Sequence, residues 1–149
     1  MALDMAKYRQ IFLEEATDHL GEISHALFDL EKEMVNVEAI DTLFRMAHSI
    51  KSMAASLGYD SVADLSHRME DRMEGVRADG RVRSQAELAL LFRCLESLER
   101  MVAAVARDEE PLRVDDELLR LLAGDPSGPP SPELASPDPV GGEPKKVLP

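Results

Sequence analysis

The chain has 149 residues and a formal net charge of −12; 44% of its residues are hydrophobic, but only 4% are aromatic and none is Trp. That size fits one domain plus a tail, with a core made of Leu, Ile, Val, Ala and Met, and the acidic balance argues against non-specific binding to nucleic acid or to an anionic membrane surface. No apolar run approaches the ~20 residues of a membrane span. The start Met1-Ala2-Leu3-Asp4 does not read as a secretory signal, and the lone Cys94 excludes an internal disulfide and suits a reducing cytoplasm.

The first predicted helix runs from about Met5 to Met34. Phe12, Ala16, Leu20, Ile23, Leu27 and Leu30 recur every three or four residues, as one helix face requires. Asn36 is a predicted N-cap for a second helix, whose stripe is Ile40, Leu43, Ala47, Ile50, Ala54 and Leu57. Gly58 suits the left-handed residue that closes it. Asp60 or Ser61 is predicted to cap a third helix, with Val62, Leu65, Met69, Met73 and Val76 inward and Ala78-Asp79-Gly80 at its end. Ser84 and Glu87 have capping-box spacing before a fourth helix, whose core residues are Leu88, Leu91, Leu95, Leu98, Val102 and Val105. After Pro111, DDELLRLLA (115–123) makes a short fifth helix. No strand signal competes. The expected fold is all-α: an antiparallel four-helix bundle with the fifth helix across one end.

Composition changes at Gly124. Eight of the nine prolines lie at or after Pro126. Residues 1–123 are therefore expected to form the domain, and 124–149 a disordered Pro-rich linker. A linker at that position is what a piece of a multidomain protein would carry.

Four histidines are the candidates for chemistry: His19, His25, His48 and His67. At ~100° per residue, His48 points ~130° away from the centre of its helix's apolar stripe, so it faces solvent. Ser52 and Ala55 follow it at one and two turns, small enough to admit a bulky partner, and Arg45 and Lys51 flank it at i−3 and i+3. An exposed imidazole among small and cationic residues is suited to carry a phosphoryl group; a chance surface histidine fits the same pattern. Glu70 shares a helix face with His67. A carboxylate in that position can hold an imidazole Nδ1 proton and leave Nε2 as nucleophile. It can serve His67, or His48 if the second and third helices are antiparallel neighbours; a surface ion pair of Glu70 with Arg68 and Arg72 is the plainer alternative. Glu22 and His25 have the Glu-x-x-His spacing of bundle metal sites, but His25 points away from the core, so no metal site is expected. Cys94 sits mid-helix and reads as packing.

Residues 43–59 read LFRMAHSIKSMAASLGY and residues 62–77 read VADLSHRMEDRMEGVR. Together with the opening YRQIFLEEATDHLGEISHALFDLEKE, they resemble the histidine-containing phosphotransfer (HPt) domains found at the N-terminus of the chemotaxis histidine kinase CheA. The pattern there is F-R-x-x-H-[ST]-[IL]-K-G, then L-G-[FY], then H-x-[ML]-E. The resemblance covers about residues 5 to 107, with weaker support to 122. It implies that His48 is the phosphoacceptor, that Glu70 bonds its imidazole, and that Lys51 and His67 belong to the same hydrogen-bond network. Ser52 stands where the family usually has Gly. The resemblance further implies that this domain binds no cofactor of its own. ATP and Mg²⁺ would be used by a partner kinase domain, and the phosphoryl group would pass to receiver domains of CheY-like or CheB-like response regulators. Such a chain is a substrate and relay with no machinery for turnover alone, and is cytoplasmic. A stand-alone or hybrid-kinase relay protein is an alternative, as is a helical interaction module in which His48 is incidental.

Overall fold

The computed structural model describes residues 4–111 and 113–124. Of the expected linker at 124–149, only Gly124 lies within the described residues, and there its carbonyl accepts from Arg72 at 2.8 Å instead of belonging to a free tail. Helices α1 (Met5–Lys32), α2 (Val37–Leu57), α3 (Asp60–Asp79), α4 (Gln85–Ala106) and α5 (Asp116–Leu122) follow in order, with no strand among the described residues. Each of the first four buries the stripe that its periodicity marked, except that Leu57 is only partly covered. α2 packs on α3 and α1, and α4 on α1 and α3, so the four close into a ring. Arg9 near the start of α1 pairs with Asp108 just beyond α4, and Phe28 near the end of α1 meets Phe92 near the start of α4 at 5.5 Å. Both contacts require α1 and α4 to be antiparallel.

The turn from α2 to α3 has two residues. Gly58 takes φ 81°, a conformation that costs glycine little and most side chains more. Its N–H and that of Tyr59 bond back to the carbonyls of Ala55 and Ala54, closing the helix end in a Schellman arrangement. Tyr59 then stacks on Phe12 of α1, with ring centroids 5.0 Å apart. That contact explains a departure from expectation. The N-cap of α3 is Tyr59, which offers no side-chain cap, and Asp60 is already inside the first turn. Ring packing takes the position that a capping side chain would otherwise hold.

A second departure concerns Arg72 and Glu87. Ser84 Oγ accepts from the Glu87 N–H at 3.1 Å, which is half of the predicted capping box. The Glu87 carboxylate instead turns inward and accepts two bonds from Arg72, both 2.7 Å. Arg72 is thus neither at the surface nor paired with Glu70; its side chain is 6% exposed. Its remaining donor, Nη1, bonds the carbonyls of Leu122 at 2.7 Å and Gly124 at 2.8 Å. These bonds hold the C-terminal end of α5, while Leu118 and Leu122 bury its apolar side. α5 therefore lies along the flank of α3 and α4 rather than across an end of the bundle.

Removing one partner of a buried, fully bonded ion pair leaves a charge without compensation, at about 3–5 kcal/mol. Arg72→Leu or Glu87→Leu alone should lower unfolding stability by that order in urea titrations. The double variant should recover most of the loss; equal losses in the single and double variants would contradict the assignment. Cys94 is fully buried, and burial pushes its thiol up to about 12. Alkylation by iodoacetamide should therefore be negligible in the native protein and rapid after unfolding.

Candidate functional site

The two-residue turn at Gly58 folds α3 back along α2. Residues of α2 then meet residues of α3 in reverse order: Lys51, Ser52 and Ala55 line a groove with Ala63 and His67; His48 and Lys51 meet Glu70; Asp41 meets Arg77. His48 is therefore placed across a helix pair from a carboxylate 22 residues away.

His48 Nδ1 lies 2.7 Å from Glu70 Oε2, and Lys51 Nζ lies 2.6 Å from Glu70 Oε1. The His48 side chain is 55% exposed, whereas that of Glu70 is 12% exposed. Burial by itself raises the Glu70 pKa. Hydrogen bonds to Lys51 and His48, with their charges, more than offset this and hold the carboxyl below its ordinary value. A carboxylate kept ionised can only accept, so the proton of this contact is on His48 Nδ1. In the neutral ring Nε2 then carries the free lone pair. Exposure and tautomer together make Nε2 an available nucleophile.

The structure does not bring every expected residue into this network. His67 is exposed, and its ion-pair contact is Asp71 one turn along α3, at 3.4 Å, rather than Glu70. It lines the groove of about 490 Å³ that Ser52 and Ala55, both exposed, also line. His67, Ser52 and Ala55 thus share an open surface beside His48, and Lys51 reaches both the groove and Glu70. Arg68 pairs with Asp64 at 3.0 Å. Glu22 and His25 are both exposed, and among the described residues no three His, Cys, Asp or Glu side chains are grouped to hold a metal ion.

Three further contacts lie around the site. Arg77 of α3 stacks over the ring of Phe44 at 4.3 Å and reaches Asp41 at 3.7 Å. Asp41 also accepts from Arg45 Nε at 2.8 Å. The i,i+4 spacing of Asp41 and Arg45 signals the last of these in the sequence; the two made by Arg77 depend on how α2 and α3 are aligned.

An up-and-down helical bundle that displays a histidine on one helix, bonded to a carboxylate on the next, defines a class of phosphotransfer module. The Hpt domain family model matches residues 7–122, and the chain belongs to that family. It is similar to the chemotaxis protein CheA of Listeria monocytogenes, at 36% identity over 95 residues, covering 64% of this chain and 15% of that protein. CheA of Bacillus subtilis is 32% identical over 103 residues (69% and 15% covered), and CheA of Salmonella typhimurium is 29% identical over 112 residues (74% and 16%). The chain therefore spans about 15% of the length of these relatives. No helix among the described residues is long and apolar enough to cross a membrane.

The depressed Glu70 pKa has a defined consequence. Its contribution to stability is complete above the unfolded value, near 4.5, and is lost as pH falls through the lower folded value. Glu70→Gln should thus destabilise the domain at neutral pH, with the gap to the parent in urea titrations narrowing as pH falls below about 4.5 and closed only below the folded value. A gap already closed above it would contradict the assignment. In ¹⁵N spectra the His48 ring of the parent should show the Nδ1-protonated tautomer, and Glu70→Ala should lose that preference.

Proposed function

We propose that the chain is the phosphotransfer domain of a CheA-type chemotaxis histidine kinase, acting in the cytoplasm, and that His48 is its phosphoacceptor. The observation that carries this reading is the 2.7 Å hydrogen bond from His48 Nδ1 to Glu70 on an otherwise exposed ring. It directs the reactive lone pair to Nε2 and supplies a negative charge where positive charge will develop.

In the first step the Nε2 lone pair forms a bond to the γ-phosphorus of ATP. The bond from that phosphorus to the bridging oxygen breaks, and its electron pair leaves with ADP. The ring gains positive charge, which Glu70 offsets while keeping the Nδ1 proton. Lys51 holds the other oxygen of Glu70 and so fixes the carboxylate's orientation. Catalysis of this transfer is mostly positioning and charge neutralisation, supplied by a partner kinase domain with its ATP and Mg²⁺. In the second step a carboxylate oxygen of an aspartate on a response regulator attacks the phosphorus. The N–P electron pair returns to Nε2 and restores the neutral imidazole. The receiver domain, CheY-like or CheB-like, brings its own Mg²⁺. The groove lined by Ser52, Ala55 and His67 is the approach for the incoming domain. Serine at 52 adds one hydroxyl to that approach and leaves it small.

Incubation with ATP, Mg²⁺ and a CheA kinase core should give an acid-labile phosphate on the parent. His48→Gln should remove that label, and undiminished labelling would overturn the reading. Glu70→Ala should stay folded by circular dichroism yet accept phosphate on the order of 10²-fold more slowly. An unchanged rate would take Glu70 out of the chemistry.

A further inference from the structure

A phosphoryl group on His48 brings close to two negative charges to the surface of a chain whose formal net charge is already −12. The nearest carboxylate, Glu70, adds to that repulsion. Of the two cations within a turn of His48, Lys51 is committed: its Nζ is 2.6 Å from Glu70, and it is the less exposed of the pair, at 27%. Arg45 is held differently. Its side chain is 59% exposed, and its hydrogen bond goes to Asp41, an exposed carboxylate shared with Arg77.

At ~100° per residue, Lys51 stands about 60° to one side of His48 around α2, and Arg45 about 60° to the other. Glu70 and α3 lie on the Lys51 side. Arg45 therefore borders the solvent side of the imidazole, where Nε2 opens. Residues three apart on a helix are neighbours, and an arginine side chain is long enough to span that gap. An exposed ion pair such as Arg45–Asp41 is weak and exchanges partners readily. A phosphoryl group offers the guanidinium more charge and a bidentate acceptor that an ammonium cannot match.

We propose that Arg45 is a phosphoryl-binding residue: it leaves Asp41 when His48 is phosphorylated and donates to the phosphoryl oxygens on Nε2, with Asp41 as the competing anion that holds it in the unmodified state. This rests on His48 being the phosphoacceptor. It assigns Asp41 and Arg45 a part in setting how strongly the group is held before it is passed on.

The test is ³¹P NMR of the full chain after phosphorylation with phosphoramidate, following the resonance that His48→Gln removes. A nearby guanidinium favours the phosphoryl dianion, so Arg45→Gln should move that resonance's titration to higher pH by about half a unit. Asp41→Asn should move it to lower pH, and Arg45→Lys should fall between the parent and Arg45→Gln. The transfer rate from ATP and a CheA kinase core should fall about tenfold in Arg45→Gln. A titration unchanged in both Arg45→Gln and Asp41→Asn overturns the inference and leaves His48 as phosphoacceptor. A resonance that persists in His48→Gln overturns that reading as well, and the inference with it.

Discussion

The site depends on the alignment of α3 against α2, and that alignment is set by a two-residue turn. Gly58 takes the left-handed conformation, Tyr59 seats its ring on Phe12, and α3 begins at once. With no slack in the connection, the pairing of the two helices is fixed along their length. Core contacts from Leu43, Ala47 and Ile50 on one helix and Met69, Met73 and Val76 on the other hold it. His48 and Glu70 meet at 2.7 Å because of this pairing. A longer, looser turn would leave two surface residues with no reason to face each other.

α3 carries two carboxylate–cation systems of opposite character. Glu70 sits at the bundle surface between Lys51 and His48, its charge available to an exposed ring. Arg72, two residues on and so about 200° around the helix, is buried against Glu87 and the end of α5. The first faces an exposed imidazole. The second joins α3, α4 and α5, and ties down the backbone at Leu122 and Gly124. Both use side chains that a hydropathy pattern marks only as polar.

Much of the fold was legible because it rests on periodicity. The stripes from Phe12 to Leu30 and from Leu88 to Val105 are buried as spaced. The caps at Asn36, Gly58 and Gly80 also follow local rules, since each is decided within a few residues. What escaped needed partners distant in sequence. Tyr59 replaces the expected cap at Asp60 or Ser61 because Phe12, 47 positions earlier, packs against it. Glu87 abandons the second half of its capping box because Arg72 takes its carboxylate. His67 shares a helix face with Glu70, yet its ion-pair contact is Asp71, four residues on along α3. The His48–Glu70 contact was foreseeable as one of two options, and the short turn was the cue that favoured it. The Arg77 contacts with Phe44 and Asp41 required the three-dimensional alignment itself.

The central claim is that Glu70 holds the Nδ1 proton of His48 so that phosphate is received at Nε2. The most direct measurement is the position of the phosphate on the ring, read by ¹H–¹⁵N–³¹P correlation in the uniformly labelled, kinase-phosphorylated chain. The account predicts phosphorus coupled to Nε2 of His48, with Nδ1 still protonated. Phosphorus on Nδ1 of His48, or on another histidine, would contradict it.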